Sequence, residues 1–207
     1  MTGMAAAGIL PALVHSGRAL AAPILPTDRA DISRVESYIS GLRTMRARLL
    51  QMGPDGSTVE GTFYLSRPGK LRVEYDPPTP VLLISNGGHL IHYDSSLESV
   101  SYIPLDSTPV GILVREKVEL SGDVTITDVE HAPNALYITI VQTKDPRAGS
   151  LTLVFSERPF SLARWGVVDG QGNRTQVALY DATYGLPLED HLFRFADPRI
   201  HGKERRE

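Results

Sequence analysis

The 207-residue chain has no cysteine, so disulfide staples and thiolate metal sites are excluded. That absence fits an oxidising compartment. Net charge is −3, and no basic stripe precedes the short run Lys203 to Arg206, so nucleic acid is not an expected partner. The apolar run from Met4 to Val14 falls short of the ~20 residues a spanning helix needs. Catalytic signatures are missing as well. There is no Gly-x-Ser-x-Gly, no phosphate loop and no dinucleotide fingerprint, and no convincing acid, base or nucleophile set forms. A hydrolase is therefore a poor reading, and neither enzyme activity nor a cofactor is expected.

Metal sites fare no better. His89 and His92 stand three apart in a strand pattern, which points them to opposite faces, so they cannot share an ion. Asp169-Gly170-Gln171-Gly172-Asn173 offers oxygens but lacks the closing glutamate of a calcium loop, and reads as a polar hairpin tip. Asn173-Arg174-Thr175 matches a glycosylation sequon by chance. Trp165 is the only tryptophan, and it reads as core.

What is present is ordinary for one globular domain, with 42% hydrophobic and 22% charged residues. Residues 1–22 have the form of a signal peptide: an apolar run, then Ala19-Leu20-Ala21-Ala22 as a small-x-small cleavage site, though residues 1–14 hold no Lys or Arg. Cleavage after Ala21 or Ala22 is expected, leaving a soluble domain over 23–198 and a charged, frayed tail over 199–207. Pro26 to Gly41 reads as a helix, with Thr27 as cap, a capping box at Ser33-x-x-Glu36, and an apolar stripe of Ile32, Val35, Ile39 and Leu42. Met45, Ala47 and Leu49 then alternate with Thr44, Arg46 and Arg48, which predicts an edge strand; a helix continued to Met52 is the rival.

Residues 61–94 organise the rest. Strand patterns at Thr62 to Ser66, Lys70 to Tyr75 and Val81 to Ser85 are separated by Arg67-Pro68-Gly69 and Asp76-Pro77-Pro78. Asn86-Gly87-Gly88 makes a hairpin back into His89 to Asp94. Both faces of these strands are apolar, as in Val81-Leu82-Leu83-Ile84, so a cover is expected on each side. Ser99 to Pro104 is a further strand, and Thr108-Pro109 opens one or two helical turns through Val114. Strand patterns resume at Val124 to Thr127, Leu136 to Gln142, Leu151 to Phe155, Ala163 to Val168, Thr175 to Ala182 and His191 to Phe195. About a dozen short strands with two helical pieces argue a barrel or sandwich.

The run Gly-x-Phe-x-Leu-x-Arg-Pro-Gly-Lys-x-Arg-x-x-Tyr-x-x-Pro at Gly61 to Pro78, with Leu-Ile-Ser-Asn-Gly at Leu83 to Gly87 and Tyr93-Asp94, resembles the LolA family of outer-membrane lipoprotein carriers. Similarity extends to Thr108 to Val114, Asp169 to Thr175 and Phe193 to Pro198. The resemblance implies a mainly β fold: an incomplete, half-open antiparallel barrel with a helical lid over its concave face. It implies a cavity for acyl chains at Leu71, Val73 and Leu83, with Phe63, Leu65 and Tyr75 near it and Ile112 and Leu113 closing it. Arg67 is implied as a latch that holds the lid through backbone hydrogen bonds. Function would be a monomeric periplasmic shuttle of acylated lipoproteins, loaded from an inner-membrane ABC-type complex and delivered to an outer-membrane acceptor. The competing reading is a periplasmic lipid- or peptide-binding sensor or structural module with no transfer role. Val73 and His92 stand where many members carry tryptophan, and the chain ends soon after Phe195, without the extra carboxy-terminal segment of some carriers.

Overall fold

The computed structural model describes residues 25–201; the expected signal segment and the tail from residue 202 lie outside the described residues. One helix, α1 (Pro26–Gly41), precedes eleven strands: β1 (Thr44–Met52), β2 (Thr58–Ser66), β3 (Lys70–Tyr75), β4 (Val81–Asn86), β5 (His89–Asp94), β6 (Ser99–Pro104), β7 (Val124–Ala132), β8 (Ala135–Gln142), β9 (Gly149–Glu157), β10 (Phe160–Asp169) and β11 (Arg174–Tyr184). All eleven form one antiparallel sheet in the order β6-β5-β4-β3-β2-β1-β11-β10-β9-β8-β7. The chain is two meanders joined where β1 pairs with β11. β6 and β7 are the two free edges, so the sheet does not close.

This topology dictates where a lid must be. The segment 105–123 links the two edge strands, and a link between the edges of a curled sheet has to cross its mouth. It does so as two short 3-10 turns, Leu105–Ser107 and Pro109–Val114, followed by irregular chain. Thr108 precedes the second turn as expected, but its hydroxyl donates to Leu105 O at 2.7 Å instead of capping.

The core lies between the concave face and its covers. Met45, Leu49, Phe63, Leu65, Leu71, Leu136, Ile138, Leu151, Leu153 and Phe155 from the strands meet Val35 and Ile39 of α1 and Ile112, Leu113, Val114, Val118 and Leu120 of the crossing segment. The second cover expected for the doubly apolar strands is the carboxy-terminal segment. On the convex side Ile84, Ile91 and Val100 form a smaller cluster with Tyr93 and Phe195. Arg72 Nη1 donates to Leu192 O at 2.9 Å, and Lys70 pairs with Asp190 at 2.7 Å.

Further expectations change. β1 is a central strand, not an edge; Arg46 and Arg48 face outward, and Arg48 is satisfied by Asp76 and Glu60 at 2.5 and 3.2 Å. Residues 191–195 are not a strand: Asp190–Phe193 is a 3-10 turn, because Phe193 and Phe195 pack against the sheet rather than within it. The helix cap is not Thr27; Leu25 is the cap residue, and its N–H is accepted by Asp28 Oδ2 at 2.8 Å. Finally, Arg199 is not frayed. It pairs with Asp197 at 2.7 Å and donates to Val100 O at 3.3 Å, so docking extends past 198. The Arg199 guanidinium, with the Tyr102 hydroxyl, holds the Asp197 carboxyl well below its usual range.

The candidate lid and acyl-chain site

The site begins with period-two alternation. In β2, Phe63 and Leu65 share the concave face; in β3, Leu71 and Val73; in β4, Leu83. Register aligns them, with Leu65 opposite Leu71 and Phe63 opposite Val73, which in turn faces Leu83. Phe63, Leu65, Leu71 and Val73 are 1 to 6% exposed, while Leu83 and Tyr75 are half-buried against the same core. Burial pushes the Tyr75 phenol up to about 12, and its hydroxyl donates to Gln51 Oε1 at 2.7 Å. Ile112 and Leu113 are each 2% exposed and point into this core from the lid. The structure is therefore closed: the aliphatics of α1 and the lid fill the concave face.

Open space flanks the lid on both sides. A hollow of about 260 Å³ lies between the lid and the β7–β9 end, bounded by Ile112, Val124, Ile140 and Leu151. A second, of about 390 Å³, lies between the lid and the turns at Pro68-Gly69 and Gly87-Gly88. Asp106 and Arg115 border both, so the turn Pro109–Val114 is the partition between them.

Arg67 holds that partition from below. It follows β2, and its side chain is 8% exposed. Nη1 donates to Leu42 O at 3.3 Å, while Nη2 donates to Arg115 O and, at 3.4 Å, to Glu116 O. Burial, with the neighbouring charge of Arg43, pulls its guanidinium below its usual value. Nε is buried and has no hydrogen-bond partner among the described residues. Desolvation of the guanidinium and its unpaired Nε offset part of what these hydrogen bonds contribute. Gly69 adds a backbone bond, its N–H donating to Val114 O at 2.7 Å. A side chain there would strike Gly87, whose Cα lies 2.8 Å from the site of a Cβ, and Gly69 already has φ of +78°.

Sequence reasoning missed a second set of fasteners on α1. Glu36 Oε1 accepts the Leu120 N–H at 2.6 Å, and Ser40 Oγ accepts the Val118 N–H at 3.2 Å. Ser33-x-x-Glu36 had suggested a helix start, but both residues lie inside α1. Their i, i+4 spacing puts Glu36 and Ser40 on one helix face, but nothing in it marks the backbone they meet. Glu36→Ala is expected to speed hydrogen exchange at the Leu120 and Val118 amides about tenfold while leaving strand amides unchanged, since one charge-assisted bond contributes ~1.5–3 kcal/mol and rebonding to water recovers part of it.

The remaining candidates settle as ordinary structure. His89 and His92 fall on opposite faces of β5. No group of three potential ligands surrounds a metal position among the described residues. Asp169 accepts the N–H groups of Gln171 and Asn173, which makes the expected hairpin tip. Trp165 is core, its ring tilted on Phe63 at 5.5 Å.

The family model for the outer membrane lipoprotein carrier protein LolA matches residues 40–196. The chain belongs to that family. It is 31% identical over 180 residues to the outer-membrane lipoprotein carrier protein of Pseudomonas paraeruginosa, covering 83% of this chain and 86% of that one. With the carrier of Methylococcus capsulatus it shares 30% over 175 residues, 80% and 83% of the two chains. A solved domain from Vibrio parahaemolyticus, assigned provisionally to outer membrane lipoprotein sorting, superposes with a TM-score of 0.50 at 12% identity, over 79% of this chain and 95% of that one. Membership makes this a binding protein and not an enzyme. No helix among the described residues is long and apolar enough to cross a membrane.

Proposed function

We propose that the protein is a periplasmic carrier that encloses the acyl chains of lipoproteins beneath the lid and shuttles them from the inner to the outer membrane. One observation carries the reading: a lid whose backbone is fastened by buried Arg67 over a core of Phe63, Leu65, Leu71, Val73, Ile112 and Leu113. Each methylene of an acyl chain left in water costs about 0.8 kcal/mol, so a triacylated anchor cannot cross an aqueous space unaided. Were Ile112 and Leu113 to swing out, the hollows on either side of the lid would merge above aliphatic strands. The incoming chains would then replace the lid aliphatics, so burial is exchanged rather than only gained. That exchange keeps binding reversible. Arg67 is the latch in this scheme. Loading from an inner-membrane ABC-type lipoprotein-releasing complex and release to an outer-membrane acceptor of higher affinity complete the cycle without nucleotide bound to the carrier. The names of the relatives, outer-membrane lipoprotein carrier proteins, support lipoprotein as the cargo.

The test uses a synthetic tripalmitoylated peptide in detergent-free buffer. The full chain is expected to hold it in a soluble one-to-one complex by native mass spectrometry, then to yield it to outer-membrane vesicles. Failure to form the complex would sink the carrier reading; a complex that forms and never transfers would establish the sensor or structural module instead.

A further inference from the structure

The convex face carries a groove that the lid and its cargo do not use. It runs over β1, β11, β10 and β9, about 490 Å³ in volume, within the ordinary range for a small-ligand site. Leu50, Met52, Val154 and Ala178 supply its apolar surface, and Leu50 and Met52 are each 39% exposed. Gly166 sits in the lining, in the middle of β10, paired with Gln176 on one side and Thr152 on the other.

The fold does not require that glycine. Its φ lies outside the left-handed region, the β9–β10 irregularity is at Leu162 to Arg164, and an added Cβ would meet nothing nearer than 3.9 Å. A glycine inside a strand weakens it, and where no bulge or tight bend explains it the usual reason is a close approach by a ligand or another backbone. Here its missing side chain deepens the groove.

Charge then narrows the occupant. Register places Arg164 two residues before Gly166, and Arg174 opposite Val168 two residues after it, so two guanidiniums bracket the glycine. Among the described residues no Asp or Glu lines the groove, although the chain as a whole carries −3. Arg164 donates to the Tyr137 hydroxyl at 3.3 Å, and neither arginine has a carboxylate partner among the described residues. Elsewhere on this face, by contrast, Arg48 is met by two carboxylates.

We propose that this groove binds a single-chain anionic amphiphile, with its alkyl stem lying over Gly166 between Leu50, Met52 and Val154 and its head group on Arg164 or Arg174. The site is separate from the lid, so it can be occupied whether or not acyl chains lie beneath the lid.

Calorimetric titration of the full chain with laurate below its micelle concentration tests this, with monolaurin, its neutral glycerol ester, as the comparison. Saturable one-site binding of laurate is expected, at least tenfold tighter than that of monolaurin. Gly166→Leu, which fills the groove with a side chain the backbone accommodates, is expected to weaken it at least tenfold; so is Arg164→Gln with Arg174→Gln, which leaves the apolar surface intact. Leu97→Ala, at an exposed residue between β5 and β6 that does not line the groove, is expected to leave laurate binding unchanged. Absence of saturable binding overturns the proposal, as does binding that survives both groove variants or is weakened as much by Leu97→Ala. The tripalmitoylated peptide, whose chains belong beneath the lid, is unaffected by Gly166→Leu if both readings hold, so the two fail separately.

Discussion

Arg67→Leu is expected to produce a carrier that loads and does not let go. Three carbonyl oxygens, those of Leu42, Arg115 and Glu116, lose a charged donor, while leucine keeps most of the buried volume. Hydrogen bonds from a charged group contribute roughly 1.5–3 kcal/mol each, but the gain is offset by the desolvation of a guanidinium whose Nε is unpaired. A net loss of about 1.5–3 kcal/mol from the closed form follows. At about 1.4 kcal/mol per factor of ten, the open, binding-competent form becomes roughly 10- to 140-fold more populated relative to the closed one. Because the acyl chains bind the open form, their apparent affinity rises by the same factor and their dissociation slows. In a release assay with the tripalmitoylated peptide, the variant should retain peptide against outer-membrane vesicles under conditions where the parent has emptied. Arg67→Lys should fall between the two, since an ammonium point charge cannot serve three carbonyls spread over a planar fork. An off-rate for Arg67→Leu equal to the parent's would refute the latch.

The lid has a topological origin that no single motif displays. Two meanders leave β6 and β7 at opposite edges, and the chain between them has to span the concavity. The sequence displayed the pieces of this plainly, because proline and glycine clusters end strands at fixed places: Arg67-Pro68-Gly69 falls between β2 and β3, and Gly87-Gly88, after Asn86 ends β4, leads into β5, as the turn chemistry requires. The order of strands was not displayed. β1 reads as an edge because Arg46 and Arg48 lie on its outward face, yet a central strand with one wet face has the same alternation, and only pairing with β11, more than 120 residues later, distinguishes the cases. The carboxy-terminal segment misleads for a related reason. Phe193 and Phe195 alternate as a strand would, and extended chain lying on a sheet face buries alternate residues just as a strand within the sheet does. Within the site, apolar lining was legible through the period of two, whereas Glu36 and Ser40 were not, since polar residues on a helix face carry no mark of the backbone they will meet.

Phe155→Ala is expected to have the largest effect on stability, and its comparison with Arg67→Leu decides whether α1 moves with the lid. Phe155 is fully buried in β9, stacks on Phe160 with centroids 5.1 Å apart, and meets the edge of Tyr38 from α1 at 5.6 Å. Tyr38 also meets Phe160 edge-on at 5.6 Å, and the Arg34 guanidinium lies 3.7 Å above that ring. These contacts anchor α1 to the β9–β10 end of the sheet, where His131 adds a bond to Asp31 at 2.8 Å. Truncating a buried phenylalanine costs about 3–5 kcal/mol, a large share of the ~5–15 kcal/mol that holds a domain folded. For a chain of this size that corresponds to a fall in Tm of roughly 10 °C, whereas Leu97→Ala, at a residue 75% exposed, should leave Tm within a degree or two. The lid fasteners Glu36 and Ser40 sit on the same helix, so two outcomes are distinguishable. If α1 is a fixed post against which the lid opens, Phe155→Ala lowers stability and leaves peptide release at the parental rate. Retention resembling that of Arg67→Leu would instead mean that helix and lid leave the concave face together. The anchor, in which Tyr38 of α1 meets both Phe155 and Phe160 edge-on, argues for the fixed post.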